Sequence, residues 1–385
     1  MDNVTKAQLI LVGGRAAIPN ILTVIHQQPQ VVVAVCSKES HPDFPKLKNA
    51  INKILPNCTV EDTPSVDAFA PDDIRLQCEQ ALQKYPKAEW IFNITAATTI
   101  MSIAAYEVAK SSQQTCWYLN TSQARIITLS GQRGDESIFS IAVDQYATAY
   151  NRELIPGDLE DRRSQSEVQW LPFARNIGQN PRYAAILKKV MAKVGGGRPS
   201  KAETKEYTLK NASDEIYTLL VEAKQIGLLE DCWQDEQNNT VFRLSYLQDK
   251  FLNGAWLEAY VWDQAKKLGI FQDCQWNQKV VEGNSKNELD VSMIYKAQLI
   301  IAECKTGESE AFDTSTLYKL DSVANVFGGR FVGRLLITSL YEKKPSQDFL
   351  AQADSRRIVV VTGEDLPYIS TILENEAIRP KYSRM

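Results

Sequence analysis

The chain has 385 residues, which is too long for one ordinary hydrophobic core and favours two or three domains. Its hydrophobic fraction of 44% and its aromatic fraction of 9% are those of a folded protein and argue against disorder. The net charge of −4 argues against a globally basic nucleic-acid binder, although residues 174–210 hold nine Lys and Arg residues against two Glu residues.

Targeting signals and reactive side chains are sparse. No apolar run reaches the length of a membrane span, and the N-terminus lacks the basic region of a secretory signal, so we expect a cytoplasmic protein with no membrane partner. The seven cysteines contain no CxxC pair and are predicted to be reduced and buried. His26 and His41 are the two histidines of the chain, which disfavours zinc sites and Ser/His or Cys/His catalysis.

Residues 8–130 alternate short apolar runs with stretches of helical periodicity. The runs that we predict to be strands are residues 9–12, 31–35, 90–94 and 116–119. Continuous apolar strands are typical of a parallel sheet covered by helices on both faces. The pattern therefore predicts a Rossmann-like α/β domain, in which ligands bind beyond the carboxyl ends of the strands.

Two of these strands end in small-residue turns that open helices. The first turn contains Gly13, Gly14, Arg15 and Asn20, and the second follows Asn93 and contains Thr95, Ala96, Ala97, Thr98 and Thr99. Backbone N–H groups at such helix starts can bind phosphates. The spacing differs from GxGxxG, which argues against a dinucleotide cofactor. From these residues alone, ordinary tight turns are the simpler interpretation.

Residues 145–250 have a different character. Periodicity predicts an amphipathic helix over 183–194, whose lysines lie off the apolar stripe, and a further helix over 212–224. A hairpin is predicted over 232–244 around the turn-prone pair Asn238 and Asn239. A helix followed by a hairpin resembles a winged helix, and the basic stretch is either a solvated face or a nucleic-acid contact.

The C-terminal part carries the most informative cluster of charges. Glu288 and Asp290 lie in one predicted strand, and Glu303 and Lys305 lie in the next. Strand side chains alternate between faces, so each pair shares a face. Carboxylates on adjacent strands cannot both be buried unpaired, and a divalent cation that also activates a water molecule is one solution.

Glu258 lies on a predicted helix before these strands, among small and apolar neighbours. Considered alone, Glu258 is predicted to be an exposed glutamate at the edge of an amphipathic helix. Together with Asp290, Glu303 and Lys305 it gives the order helix-Glu, strand-Asp, strand-Glu-x-Lys, which is that of the PD-(D/E)xK nuclease core. The alternative interpretation is a Glu/Lys ladder that stabilises paired strands.

Residues 254–258, 287–291 and 303–307 resemble the nuclease motifs of the CARF-domain effector nucleases of type III CRISPR systems. Residues 11–20 and 93–95 resemble the sheet ends of that family's sensor domain, so the resemblance covers nearly the whole chain. It implies a Rossmann-like CARF sensor domain over 1–145 and a C-terminal PD-(D/E)xK restriction-endonuclease-like domain over 251–385. Residues 146–250 then form a helical linker with a winged-helix-like segment.

The resemblance also implies what the chain binds and cuts. The expected protein is a homodimer, activated by a cyclic oligoadenylate such as cyclic tetra-adenylate, that cleaves single-stranded RNA, single-stranded DNA or both, or nicks duplex DNA. Asp290 and Glu303 are expected to hold Mn²⁺ or Mg²⁺, with the carbonyl of Cys304 as a further ligand. Lys305 is expected to orient or activate the attacking water, and Glu258 to complete the metal shell.

In the sensor domain the resemblance assigns the activator to both turns. The expected binding residues are Gly13, Gly14, Arg15, Asn20, Asn93, Thr95, Ala96, Ala97, Thr98 and Thr99. The family often has two glycines followed by Thr-Lys after its Asn-x-Thr, whereas this chain has Ala-Ala-Thr-Thr over 96–99. That difference removes a lysine and adds two methyl groups, which leaves the ring size of the activator open, and Arg15 is the candidate source of positive charge.

Two other functions fit parts of the sequence. A ligand-responsive transcription regulator would use the winged-helix-like segment to bind duplex DNA without metal and would leave the carboxylates as scaffold. A ring nuclease would degrade the cyclic messenger in the sensor domain itself. The scarcity of histidines offers little acid–base capacity there, although such cleavage can proceed by positioning alone.

Overall fold

The computed structural model describes residues 5–13, 17–121, 123–131, 136–137, 141–157, 165–193, 199–200, 203–282, 285–307, 311–341 and 343–382. Gly14 and Arg15 of the first predicted turn lie outside the described residues. Three sheets organise the described chain, and the predicted mixed α/β architecture with an N-terminal Rossmann-like domain is confirmed. Within the described part of the chain, no helix is both long and apolar enough to cross a membrane.

The first sheet has seven strands in the order β3-β2-β1-β4-β5-β6-β7. Its strands are β1 Lys6–Val12, β2 Val31–Cys36, β3 Thr59–Asp62, β4 Glu89–Asn93, β5 Thr115–Asn120, β6 Arg125–Ser130 and β7 Glu136–Ser137. Strands β1 to β5 are parallel, and β6 and β7 add antiparallel strands at one edge. The chain direction across the sheet reverses between β1 and β4, so their carboxyl ends form a switch point, the usual ligand position in such sheets.

Helices cover both faces of this sheet. They are α1 Ile18–Gln27, α2 Phe44–Ile54, α3 Pro71–Lys84 and α4 Thr99–Ser111. The apolar residues of α1 and α2 pack in one buried cluster, and those of α3 and α4 pack in another on the opposite face. Every residue of β2 is buried, which explains the unbroken apolar runs of the sequence.

The middle segment begins with α5 Val143–Ala149 and β8 Glu153–Pro156. It continues with α6 Gln165–Gln179, α7 Pro181–Lys193, β9 Thr204–Leu209, α8 Asp214–Gln225, β10 Asp231–Gln234 and β11 Thr240–Ser245. The predicted hairpin is confirmed as β10 and β11, with Cys232 opposite Phe242. Strand β9, which we did not predict, pairs with β11 and completes a three-stranded antiparallel sheet.

The third sheet has six strands in the order β16-β15-β14-β13-β12-β8. The elements of the C-terminal part are α9 Tyr246–Lys250, a π turn Phe251–Ala255, α10 Trp256–Leu268, β12 Asp273–Glu282, β13 Ser285–Tyr295, β14 Gln298–Lys305, α11 Thr314–Val326, β15 Gly333–Thr338, α12 Gln347–Ser355, β16 Ile358–Val361 and α13 Ile369–Ile378. Strands β12, β13 and β14 are antiparallel neighbours, whereas β14, β15 and β16 are parallel.

The middle segment packs against this third sheet and contributes a strand to it. The sequence, which suggested a linker, did not predict this contact. Strand β8 pairs with β12 as an edge strand, four residues long. Helix α6 packs against α10, where Arg175 Nη2 lies 2.6 Å from Asp263 Oδ1 and a Cβ atom added at Gly178 would lie 2.4 Å from the Tyr260 ring. The helical segment and the C-terminal sheet therefore share one core.

All seven cysteines are buried and unpaired, as the sequence predicts. Burial raises the pKa of the Cys36 and Cys116 thiols to about 12, so these groups stay protonated at neutral pH. They act as small apolar side chains of the sheet.

The contact between α6 and α10 gives a prediction about stability. Alanine has a higher helix propensity than glycine, so propensity alone predicts that Gly178→Ala stabilises α6 by about 1 kcal/mol. We expect the opposite sign, a loss of about 1–3 kcal/mol, because the new methyl group overlaps the Tyr260 ring. Urea unfolding followed by circular dichroism measures the difference, and a Gly178→Ala variant as stable as the parent chain would contradict the close packing.

Candidate active site and sensor loops

Strands β13 and β14 bring the predicted acidic residues together. Val291 lies opposite Ala302 in this antiparallel pair, so Asp290 and Glu303 occupy the next register positions. Both residues are buried, with 4% of their surface exposed. Lys305 Nζ lies 2.7 Å from Glu303 Oε1, as expected for two residues on the same face of a strand.

Helix α10 places Glu258 beside this pair. The indole N–H of Trp276 on β12 donates a hydrogen bond to Glu258 Oε2 at 3.0 Å, which fixes the carboxylate. The start of the helix is tied to the end of β14, because the Thr306 hydroxyl donates to the backbone carbonyl of Asn253 at 2.8 Å. The predicted residues Glu258, Asp290, Glu303 and Lys305 are therefore all supplied by elements that meet at the end of β14.

Excess negative charge dominates the electrostatics of this cluster. Burial raises the pKa of Asp290 well above its usual range, and the charges of Glu303 and Glu258 raise it further. Burial likewise raises the pKa of Glu258 to about 7, with a further contribution from the charge of Glu288. Burial alone would lower the pKa of Lys305, but the Asp290 and Glu303 carboxylates raise it, so its ammonium group is charged at neutral pH.

The structure adds Lys319, which sequence reasoning missed. Lys319 lies on α11, the helix that connects β14 to β15, and its Nζ is 2.8 Å from Glu303 Oε1. Two lysines therefore contact the same carboxylate oxygen of Glu303. A lysine at one position of a helix carries no local signal in the sequence that distinguishes it from a solvated surface residue.

Asp290 and Cys304 are joined through the backbone. The backbone N–H of Cys304 donates to Asp290 Oδ2 at 2.7 Å, which fixes the orientation of that carboxylate. The Cys304 side chain is buried, and burial raises the pKa of its thiol well above the usual range, so it is a poor nucleophile. The Cys304 atom that we predict to be a metal ligand is therefore its backbone carbonyl oxygen, not its thiol.

The cluster fits a divalent cation by its chemistry, although its groups are not yet arranged around one. Among the residues that the structure describes, no three His, Cys, Asp or Glu side chains are already placed to hold a metal ion. Glu303 is instead neutralised by Lys305 and Lys319. The donor set consists of carboxylate oxygens, which suit Mg²⁺ or Mn²⁺. Burial raises the pKa of Glu258 and Asp290, so a nearby cation would lower the cost of their charged forms.

A cavity of about 650 Å³ opens beside the cluster. One wall is α7 of the middle segment, and the other is formed by the start of α10 and the end of β14. The polar residues that line it are Lys188, Lys250, Asn253, Glu258, Asn277, Glu288, Lys305, Thr306 and Ser339. The middle segment therefore forms part of the candidate active site.

Asn277 is a second residue that sequence reasoning missed. It has a left-handed backbone with φ of 53°, and its amide Nδ2 donates to Glu288 Oε1 at 2.9 Å, which holds that carboxylate at the cavity wall. Gly157 allows this arrangement, because a Cβ atom there would lie 1.9 Å from Asn277 Oδ1. The residue directly after β8 thus positions a group of the cavity 120 positions later in the chain.

The two predicted turns of the sensor domain also meet. The backbone N–H of Gly13 donates to the carbonyl of Ala96 at 2.9 Å. A Cβ atom at position 13 would lie 2.8 Å from Ala97 Cα and 2.9 Å from Thr98 N, so glycine is needed for this approach. Thr98 caps α4 by accepting a hydrogen bond from the Met101 N–H, and Thr99 is exposed at the helix start.

Asn20 and Asn93, which were predicted to contact the ligand, are buried and hydrogen-bonded to each other in this structure. They are 1% and 0% exposed, and Asn93 Nδ2 donates to Asn20 Oδ1 at 2.8 Å. Asn93 Oδ1 accepts hydrogen bonds from the backbone N–H and the hydroxyl of Thr95. In this conformation neither asparagine reaches the surface, and both position the turns. Contact of the predicted residues with a ligand stays a prediction.

Two family models match the chain. A model described as "Card1 CARF domain" matches residues 10–146, and one described as "Card1-like, endonuclease domain" matches residues 246–379. The first match begins within β1 and contains the other strands of the first sheet, and the second contains Glu258, Asp290, Glu303 and Lys305. No curated protein matches the chain.

Several solved structures share the fold. Can2 from Sulfobacillus thermosulfidooxidans, solved in complex with cyclic tetra-adenylate, superposes with a TM-score of 0.72 at 19% identity over 96% of this chain and 97% of that chain. Protein VC1899 from Vibrio cholerae gives 0.76 at 19% identity over 97% and 98%. A type III CRISPR defence DNA nuclease activated by cyclic oligoadenylate gives 0.58 at 14% identity, with 96% of this chain but 52% of that chain covered.

The electrostatics of the cluster predict that Glu258→Gln stabilises the chain in EDTA at alkaline pH. The pKa of Glu258 is raised from 4.5 to about 7 in the folded protein, so stability is lost as pH rises through this window and then stays constant. Glutamine still accepts the Trp276 hydrogen bond and has no charge to bury. At pH 8 the variant should exceed the parent by about 1–3 kcal/mol, whereas near pH 4 the two should agree.

Thermal unfolding at both pH values measures this effect, and Glu374→Gln serves as the matched control because Glu374 is exposed on α13. At each of the two pH values, the control variant is expected to be as stable as the parent chain. A Glu258→Gln variant that is less stable than the parent at pH 8 would show that the carboxylate is stabilised, not strained, by its surroundings.

Proposed function

Because the chain belongs to the CARF-domain nucleases, with a Card1 CARF domain followed by a Card1-like endonuclease domain, we propose that it is a metal-dependent endonuclease activated by a cyclic oligoadenylate. Its substrate is single-stranded RNA or DNA, and its setting is type III CRISPR defence. The observation that carries the proposal is the convergence of Glu258, Asp290, Glu303 and Lys305 beside the cavity.

Asp290 and Glu303 are the proposed holders of Mn²⁺ or Mg²⁺, with Glu258 and the carbonyl of Cys304 completing the site. When bound, the ion supplies Lewis acidity for the scissile phosphate and lowers the pKa of a bound water. Asp290 is suited to this task because the Cys304 N–H holds one of its oxygens and leaves the other for the ion. Glu258 is suited because its charge is costly until a cation is near.

Lys305 acts as an electrostatic group in this proposal. Its pKa is raised by Asp290 and Glu303, so it carries a proton at neutral pH and does not serve as a general base. It can orient the attacking water by donating a hydrogen bond, and it can stabilise negative charge that develops on the phosphate. Lys319, on α11, contacts the same carboxylate oxygen of Glu303 as Lys305 does and adds a second positive charge beside it.

In the sensor domain, the proposed activator is cyclic tetra-adenylate. The support is the meeting of Gly13 with residues 96–98 at the switch point, together with the start of α4, whose N–H groups favour phosphates. The structure of Can2 with the same molecule is a further reason to choose it. Ile100 and Ile103 are 37% and 51% exposed on α4, directly after these turns, and this apolar surface supports a homodimer in which both copies contact one activator.

The transcription-regulator alternative is less well supported. Helix α7, which carries part of the basic stretch before the winged-helix-like segment, lines the cavity of the carboxylate cluster, and α6 forms an ion pair with α10 through Arg175 and Asp263. A segment held in this way serves the catalytic cleft better than it serves independent binding of duplex DNA.

The proposal predicts cleavage that depends on both metal and activator. Purified protein is incubated with labelled RNA and DNA, single-stranded and duplex, with Mn²⁺ and either cyclic tetra-adenylate or cyclic hexa-adenylate. Asp290→Asn should lower the rate by at least about 100-fold because it removes a proposed ligand of the metal ion. Lys305→Ala should have an effect of the same size because it removes positive charge that stabilises the transition state. Lys296→Ala, in the turn at the other end of the β13–β14 hairpin, is the matched control and should cut normally.

Circular dichroism and activator binding are measured on the same variants. Both should be unchanged in Asp290→Asn, because the sensor turns lie in a different sheet. Absence of activator-dependent cleavage by the parent chain would refute the proposal, and loss of folding in the variants would favour the Glu/Lys ladder.

A further inference from the structure

A second cavity extends the active-site cavity outwards. Its volume is about 130 Å³, and it shares Lys188, Ala192 and Ser339 with the larger cavity. We name this outer part the basic groove and define it by the residues that line it, which are Ala185, Lys188, Lys189, Ala192, Ser339, Leu340, Tyr341 and Lys343. It runs between α7 and the segment after β15.

The two cavities differ in their acidic residues. Glu258 and Glu288 line the inner one, where the proposed metal site lies, together with Lys188, Lys250 and Lys305. Of the described residues that line the basic groove, three are lysines and none is acidic. Lys189 and Lys343 are exposed, so their ammonium groups reach solvent at its rim. A polyanion that enters the proposed metal site would therefore have its flanking phosphates held by lysines.

Tyr341 gives the basic groove an exposed aromatic surface. It is 43% exposed, in the segment after β15 that leaves the sheet beside Lys305. An aromatic ring next to lysines along a groove is the combination with which proteins bind unpaired bases and the attached backbone. A duplex presents its bases already stacked, so only a single strand, or a strand opened locally, can use such a ring.

Both walls of the basic groove are fixed relative to the catalytic strands. The backbone N–H of Ser339 donates to the carbonyl of Lys305 at 3.2 Å, and that of Gly363 donates to the carbonyl of Leu340 at 2.9 Å. A Cβ atom at Gly363 would lie 2.7 Å from the Ser339 carbonyl oxygen, so glycine allows the turn to pack closely. The opposite wall is α7, which packs on α6 and on the π turn before α10.

We propose that the basic groove binds the substrate strand on one side of the scissile phosphate, with Tyr341 stacked on an unpaired base and Lys189 and Lys343 on phosphates. This inference rests on the proposed nuclease function and identifies the residues that would contact the single strand and favour it over a duplex. The catalytic carboxylates alone make no distinction between a single strand and a duplex, so in this proposal Tyr341 is the specificity-determining residue.

Binding can be measured without cleavage, which separates this inference from the nuclease proposal. Fluorescence anisotropy with a labelled single-stranded oligonucleotide and a matched blunt duplex is recorded in EDTA on the full chain, with and without cyclic tetra-adenylate. Tyr341→Ala should weaken single-strand binding at least about fivefold, whereas Tyr341→Phe should bind as the parent does, because both rings stack. Duplex binding should be weaker and insensitive to Tyr341→Ala.

The lysines are tested by salt dependence. The double variant Lys189→Gln/Lys343→Gln should reduce the slope of log affinity against log salt concentration by about 1.4, which corresponds to two phosphate contacts on a single strand. The matched control is Lys53→Gln/Lys87→Gln, because both residues are exposed on the sensor domain, one on α2 and one before β4. Its slope should equal that of the parent.

Each outcome decides the inference separately from the nuclease proposal. A parent chain that cleaves nucleic acid while Tyr341→Ala and the lysine double variant bind like the controls would place the substrate elsewhere and overturn the basic groove alone. Equal loss of duplex and single-strand binding in Tyr341→Ala would overturn the specificity role. A parent chain that binds no single strand would overturn the groove whatever the cleavage assay shows.

Discussion

The catalytic half of the structure depends on one constraint, the burial of two like charges on neighbouring strands. Asp290 and Glu303 lie in adjacent register positions of β13 and β14, and each is 4% exposed. Two carboxylates in such a place require compensating positive charge. Without metal, Lys305 and Lys319 supply it to Glu303 from the strand and from α11. In the proposed metal-bound state, the same excess of negative charge would attract the ion, so the electrostatic cost of burying these carboxylates and the proposed catalytic role would have one origin.

This constraint explains why residues distant in sequence are needed around the cluster. Glu258 requires the Trp276 indole, and the Asn277 amide that holds Glu288 requires the space that Gly157 leaves. Because Gly157 follows β8, the edge strand of the third sheet, the middle segment contributes to the site before α6 begins. Helix α7 then forms one wall of the cavity, and the basic groove adjoins it.

The sequence predicted the elements whose signals are local. Unbroken apolar runs predicted the parallel sensor sheet, and side-chain alternation predicted that Lys305 lies beside Glu303. It did not predict Lys319 or Gly157, because the rotation of α11 and the pairing of β8 with β12 depend on contacts between distant residues. Asn20 and Asn93 were expected to contact the ligand, but in this structure both side chains are buried and Asn93 donates a hydrogen bond to Asn20. A polar residue at a strand end looks the same in sequence whether it faces a ligand or holds a turn.

Proton release on metal binding tests the central claim most directly. Isothermal titration of Mn²⁺ into the protein, in buffers of different ionisation enthalpy, counts the protons that leave as the ion binds. The pKa of about 7 for Glu258 predicts that this group alone releases up to about one proton per ion near pH 6.5 and much less at pH 8.5. The raised pKa of Asp290 adds further proton release. Mn²⁺ that does not bind, or binds with the same proton count in the parent chain and in Glu258→Gln/Asp290→Asn, would show that the buried carboxylates are not the metal site.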